Sequence, residues 1–432
     1  MNEKSINLYD QIVDLYYDNS EWNYYNADFI KPFDKNKARN FIERYFEKGA
    51  KKGVILPLID RINSMRYVHM ISVFFIGLLI KRKLCPRLTI CSQVDTDYEF
   101  TYLWFLVCLF HDMGYAIEND WTYKFTYRKK TEEYKNKYAG KVHPLKMIYS
   151  RYEDLGVFYM VPTIYRKQGP FQKIYGKNNI KNLDSIIFNN GIKVYKSTYE
   201  RETVFNYLEY CKMTDEIRHY DHGIVGGLCL YDNLIKNYYI TYLSEKEKRE
   251  NVNFDDFYVN EHLHFFAEQK MIFAYLADCI IAHNMWPATG DKIQIYRKFR
   301  LDELIPPKFE KIKFEKNPIL FILAIADTID PIKLFLSKCS MNEVDIWKGV
   351  DVLFTRGYIE MKIVDYRLSF KNLVNKLKGL DDWIDVRIDI KENEKKIKLV
   401  LGDGLSSRSQ CGQPSVNLRR IRMKNSKNKV QK

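Results

Sequence analysis

Apolar residues recur at helical spacing through most of the N-terminal three quarters of the chain. Leu8, Ile12, Val13 and Tyr16 fall on one face of a helix, and Pro32 and Pro57 break an N-terminal helical segment spanning residues 1–60. Residues 64–80 follow as a long apolar helix, with Ser64 in the N-cap position and Lys81, Arg82 and Lys83 at the end where the helix dipole favours cations. A helix over residues 98–110 ends near His111, Asp112 and Gly114, the glycine acting as terminator. Residues 224–236, 265–283 and 319–329 predict three more helices, the last two apolar enough to lie in the core. The pattern therefore predicts a mainly α fold whose helical core is drawn from residues 61–117 and 211–335.

Two stretches depart from this periodicity. Residues 118–210 have weak periodicity and turn signals at Gly169-Pro170, Gly176 and Asn189-Asn190-Gly191, which marks them as a long insertion. After residue 340 the period shortens: residues 358–364 alternate, residues 370–380 keep helical spacing, and residues 383–390 and 396–401 read as strands around the polar turn KENEK. Residues 341–402 thus predict a small C-terminal α+β appendage, and residues 403–432 a disordered basic tail.

With 432 residues, 46% hydrophobic and 29% charged, the chain can bury a substantial core, and disordered, collagenous and coiled-coil classes are excluded. The longest apolar runs, residues 68–80 and 271–281, fall short of the ~18 to 20 residues that cross a bilayer, so no membrane span is expected. The N-terminus lacks a basic start followed by an apolar segment, which argues for a cytoplasmic protein. Eight cysteines are scattered without a CxxC pair, so neither a zinc knuckle nor a disulfide framework is expected. The net charge of +14 is concentrated: residues 118–210 carry 17 Lys/Arg against 10 Asp/Glu, residues 403–432 carry 8 against 1, and the remainder balances. Basic regions attract phosphate, and the tyrosines interleaved with Lys and Arg in WTYKFTYRKK suit base stacking beside phosphate contacts. The same composition is equally compatible with a solvated, Tyr-rich packing surface.

Candidate chemistry lies with the histidines, of which there are eight. His69 sits in RYVHMISVFF, His111 and Asp112 in LVCLFHDMGYA, His222 in RHYDHGIVGG, His283 at the end of YLADCIIAHN, and Asp327 in FILAIADTIDP. All belong to apolar helices that must pack together. A carboxylate buried among Leu, Ile and Phe costs on the order of several kcal/mol unless compensated, and a divalent cation is an efficient compensator. Singly, each residue also fits a hydrogen-bonded core position or a cap. As a set they read as metal ligands, because helix bundles build metal sites from side chains on facing helices. Mixed nitrogen and oxygen donors suit Mn, Fe, Co, Ni or Mg better than a structural zinc.

The ordered series H…HD…H…H…D resembles the HD-domain superfamily of metal-dependent phosphohydrolases. It is carried by Arg66-Tyr67-Val68-His69, His111-Asp112-Met113-Gly114, His222 with Gly223 and Gly226-Gly227, His283, and Ala326-Asp327, and covers roughly residues 60–335. The resemblance implies an HD-like helical bundle in which His69, His111, Asp112 and Asp327 hold one divalent metal ion, and in which Asp112 bridges to a second held with His222 and His283. It further implies that Asp112 and Arg66 act in catalysis, with a hydroxide between the two cations attacking phosphorus in a phosphoester of a nucleotide or nucleic acid.

Departures narrow the choice. Tyr115 follows Gly114 where cyclic-dinucleotide phosphodiesterases of the HD-GYP type have Lys, and NMWPATG follows His283 in place of their HHExxDGxGYP block, which disfavours cyclic di-GMP. The HDxGHxPFGH signature of the deoxynucleotide triphosphohydrolases is absent. The spacing is most similar to the HD nuclease domain of CRISPR interference helicases, though no helicase motif follows. No GxxxxGK[ST] loop or GxSxG elbow supports an ATPase or serine hydrolase. Beside His222, His219 and Asp221 read as a partner and an alternative ligand or as surface residues of a turn, with His219 expected at the surface. His262 and His264 are expected as non-ligands and His143 as exposed, while Lys141, Arg128, Lys129 and Lys130 form either a solvated face or substrate phosphate contacts. The alternative function is an HD-type fold that binds nucleic acid or a signalling ligand without turnover.

Overall fold

The computed structural model describes residues 6–86, 88–91, 97–116, 187–188, 199, 201–214, 221–254, 256–260, 263–266, 269–305 and 310–402. Most of residues 118–210 lies outside this set, with Arg128, Lys129, Lys130, Lys141 and His143, as do His219, His262 and residues 403–432.

The described chain is mainly α. Its principal helices are α1 (Leu8–Tyr17), α2 (Lys35–Lys48), α3 (Lys52–Ile59), α4 (Ser64–Leu84), α5 (Phe100–Cys108), α6 (Arg201–Thr214), α7 (His222–Lys248), α8 (Gln269–Ala282), α9 (Pro318–Ile329), α10 (Pro331–Phe335), α11 (Glu343–Lys348) and α12 (Phe370–Leu377). Helix α6 lies at the end of the stretch read as an insertion.

Helix α4 is the central rod, packed against α2, α5 and α9. Between Tyr67 and Lys81 it has no polar stripe because it has no solvent face there: Val68, Ile71, Phe74, Phe75 and Leu78 are all fully buried. Its N-cap is Asn63, whose side chain accepts from the Met65 N–H at 3.0 Å; Ser64, expected as the cap, is already the first helical residue. Gly77 lets the Trp104 ring lie directly on α4, where a Cβ would overlap it, and the Trp104 indole donates to the Phe74 carbonyl at 3.0 Å. At 21 residues and mean hydropathy 1.3, this helix reaches the length and apolarity of a membrane span, which the shorter run read from the sequence does not; 83% of its most apolar window is buried within the fold.

Helices α7 and α8 pack along each other. Gly227 permits the approach, since a Cβ there would meet the Ala277 carbonyl and the Ile281 side chain. Asn317 starts α9 by accepting from the Leu320 N–H at 3.2 Å, and the Tyr275 hydroxyl of α8 donates to the same oxygen at 2.9 Å. Residues 265–266, read as the start of a helix, instead close a hairpin of β5 (Asp256–Asn260) and β6 (Leu263–Phe266), where Phe257 and Phe265 stack at 5.1 Å.

A five-stranded antiparallel sheet forms the C-terminal side, in the order β1-β7-β8-β10-β9: β1 (Ile6–Asn7), β7 (Val350–Phe354), β8 (Tyr358–Ile363), β10 (Lys396–Leu401) and β9 (Val386–Lys391). The register sets Ile397 against Met361 and Leu399 against Ile359, so the alternating apolar residues of both strands face the core. Two strands of this sheet escape the sequence pattern. Val350–Phe354 is one, and the other is the N-terminal Ile6–Asn7, which pairs with Val352 and Asp351. Trp383, expected to open a strand, ends the helical turn Leu380–Trp383. A separate three-stranded sheet has the order β3-β2-β4, from β2 (Thr89–Cys91), β3 (Asp97–Glu99) and β4 (Ile187–Phe188).

Candidate metal centre

The helix ends of the bundle aim the histidines. His111 follows α5 and His283 follows α8, and each ring's Nδ1 meets a carbonyl of the preceding turn: Cys108 O at 2.7 Å and Ile280 O at 2.6 Å. A helix C-terminus leaves such carbonyls without intrahelical partners, so an Nδ1–H satisfies them and fixes the tautomer. The Nε2 lone pair then points inward. His69, on the second turn of α4, is held in the same sense by a carboxylate, with Nδ1 2.6 Å from Asp330 Oδ2.

These lone pairs converge. His69 Nε2 lies 3.2 Å from His111 Nε2, 3.0 Å from Asp327 Oδ1 and 3.6 Å from Asp112 Oδ2. His111 Nε2 is 3.5 Å from both Asp327 Oδ1 and Asp112 Oδ1, and His222 Nε2 is 3.5 Å from Asp112 Oδ1. Two overlapping groups result, His69 with His111 and Asp112, and His222 with His283 and Asp112. All six expected ligands therefore meet in one place, between 0% and 6% exposed.

The arrangement fits divalent cations. Donors held ~2.1 Å from a common metal lie about 3.0 to 3.4 Å apart in octahedral or tetrahedral geometry, and these atoms, at 3.0 to 3.6 Å, are within a few tenths of an ångström of that spacing. Asp112 Oδ1, His222 Nε2 and His283 Nε2 are buried acceptors with no hydrogen-bond partner. Three orphaned polar atoms in one buried cluster are what a cation would satisfy.

The electrostatics agree. Burial opposes the charge on Asp112, but the fields of His111, His69 and Arg66 overcome it and hold the carboxyl well below its usual range. Asp327 is likewise depressed against burial, by Lys333 and by hydrogen bonds from His111 and His69. His69 is pushed up to about 9: burial disfavours the imidazolium, and the carboxylates of Asp327, Asp330 and Asp112 more than offset it. A proton on this ring takes the place among the carboxylates that a metal ion would fill. His283 is pushed down to about 4 by burial and the neighbouring His111, and His222 well below its ordinary value by burial, so both stay neutral as metal ligation requires.

Glycines bring the parts together. A Cβ on Gly114, the last residue of HDxG, would overlap the His222 carbonyl, and one on Gly223 would crowd His283 Cε1 and the Ile280 carbonyl at 2.9 Å. Asp221 caps α7 by accepting from the Gly223 and Ile224 N–H groups at 2.9 and 3.1 Å, and also accepts from Asn284, beside His283. It positions both histidine segments. Arg66 donates to Asp112 Oδ2 at 2.8 Å with its guanidinium 3.1 Å from the centroid of Tyr115, whose other face stacks on His222 at 3.9 Å. His264 lies on the β5–β6 hairpin, 2.6 Å from Asp256 and away from this centre.

Several partners were not singled out in the sequence. Asp330 orients His69 and is itself held by the Ser72 hydroxyl, to which the Trp347 indole donates at 2.8 Å. Lys333 places Nζ 2.6 Å from both oxygens of Asp327. The only sequence cue was Asp330-Pro331, an N-cap signature, and Asp330 does cap α10 through the Ile332 and Lys333 N–H groups.

Comparison with protein-family models, curated proteins and solved structures finds no match for this chain. The chemistry of the centre rests on its own geometry.

Proposed function

We propose that the bundle is of HD type and that the protein is a metal-dependent phosphohydrolase, cleaving a phosphoester bond in a nucleotide or nucleic acid. The observation that carries this reading is Asp112, a fully buried carboxylate shared between two groups of inward-facing histidines. His69, His111, Asp327 and Asp112 would hold one cation, and His222, His283 and Asp112 the other. When bound, two such cations supply an activated water nucleophile and stabilise the charge growing on the phosphoryl oxygens. In the net reaction the water oxygen bonds to phosphorus, the ester P–O bond breaks, and the leaving oxygen takes up a proton.

The chain's own groups prepare that chemistry. Asp330 holds the His69 ring in place, the helix-end carbonyls hold His111 and His283, and Tyr115 wedges Arg66 against turning. Arg66, with its side chain 31% exposed beside fully buried Asp112, is placed to meet an anion arriving from solvent. The test is elemental analysis of the purified protein, followed by assay on bis(4-nitrophenyl) phosphate, nucleotides and single-stranded oligonucleotides. Bound transition metal or magnesium and turnover that is lost in Asp112→Ala are expected. No turnover with any substrate, or turnover unchanged in that variant, would remove the reading.

A further inference from the structure

Two partly exposed cationic side chains are bonded to the buried carboxylates, and a third lies on a helix that packs against the one bearing Lys333. Lys333, on α10, spans both oxygens of Asp327 and is 22% exposed. Arg66, on the first turn of α4, is 31% exposed and bonded to Asp112. Lys376 is half-buried on α12, a helix of the C-terminal α+β region that packs on α9 and α10. It lies within electrostatic reach of Lys333, Asp327 and Asp112, and burial together with Lys333 pulls its pKa down.

A charge count gives these groups their meaning. The centre contains three carboxylates, Asp112, Asp327 and Asp330, and the three cations already match them. The positive charge of any bound metal is then left for the substrate to neutralise, in a site where charges are weakly screened. An internal phosphodiester brings one negative charge. A terminal phosphate brings close to two above pH 7, because its second pKa is about 6. Lys333 spends two of its three N–H donors on Asp327 and keeps the third, and Arg66 spends one of five on Asp112, so donors are left for the additional anionic oxygen of a terminal phosphate.

We propose that Arg66, Lys333 and Lys376 form an anchoring rim that selects a terminal phosphate, as in a phosphomonoester or a nucleotide, over an internal phosphodiester. This rests on the two-metal reading above and narrows it. The rim also gives the C-terminal region a direct part in substrate recognition, through Lys376.

The test uses the full-length, metal-loaded protein and calorimetric titration at pH 8 with inorganic phosphate and with dimethyl phosphate. Inorganic phosphate binds about tenfold or more tightly than dimethyl phosphate, as expected for one further charge-assisted contact. Lys376→Gln weakens inorganic phosphate about tenfold while changing dimethyl phosphate less than about twofold. The preference for 4-nitrophenyl phosphate over its bis ester, read as a ratio of kcat/KM, falls in the same variant. Lys376→Gln retains the wild-type metal content, which separates loss of the rim from loss of the centre. If the wild type holds metal but binds both phosphates equally, or if the variant weakens both alike, the rim is refuted and the metal centre stands. If the wild type holds no metal, both fail together.

Discussion

At the scale of single residues, the centre is governed by which ring nitrogens carry protons. In the metal-free protein the pKa of His69 is raised to about 9, while that of His283 is lowered to about 4 and that of His222 lies well below the ordinary value of 6.5. The signs differ, so the pH dependence has two limbs. A raised pKa contributes stability that is complete below 6.5 and is lost as pH rises through about 9. Depressed histidines contribute stability present above 6.5 and lost as pH falls towards about 4. Thermal melts of the metal-free protein should therefore peak near pH 6.5, and metal loading, which takes His69 in its neutral form, should flatten the alkaline limb. Melts that fall monotonically with pH would contradict this assignment. Asp330 acts one step further out. Replacing it by Asn removes the carboxylate that accepts from His69 Nδ1, and metal affinity measured by calorimetry should drop roughly 10- to 100-fold with the fold retained.

At the scale of elements, the decisive feature is how closely backbones approach. Gly227→Ala forces a methyl into the Ala277 carbonyl and the Ile281 side chain, and should cost about 1 to 3 kcal/mol in urea denaturation. Gly357→Ala, where a Cβ meets nothing within 4 Å, should stay within about 0.5 kcal/mol; equal losses would rule out the packing argument. The elements also show what could be read beforehand. Helices α4, α5, α7, α8 and α9 announce themselves by apolar runs, and His69, His111, Asp112, His222, His283 and Asp327 stand out as polar residues within or beside those runs. Asp330 does not, because its bond to His69 spans 261 positions and its local signature is that of a cap. Lys333 reads as a solvated lysine on a short helix, and only the fold turns it onto Asp327. The strand Ile6–Asn7 is two residues long, too short for any alternation to register, and it exists because β7 offers an edge.

At the scale of the whole molecule, a buried chain of contacts ties the sheet to the metal centre. The Trp347 indole, on the helix leading into β7, donates to Ser72; Ser72 donates to Asp330; and Asp330 holds His69. Trp347 is fully buried and lies beside Tyr9 of α1 at 6.4 Å, so the N-terminal segment shares the same anchor. Ligands that bind only the folded state stabilise every element that unfolds with the site, by ~2.7 kcal/mol at a hundredfold excess over Kd. Metal addition should then slow amide exchange not only in Ser64–Leu84 and Pro318–Ile329 but also in Val350–Phe354 and Lys396–Leu401, by similar factors, as read by hydrogen-exchange mass spectrometry. Trp347→Phe keeps the ring and removes the donor, so it should lower metal affinity and reduce the protection transmitted to the sheet. If the helices gain protection while the strands do not, the sheet unfolds independently and the Trp347–Ser72–Asp330 connection carries no coupling.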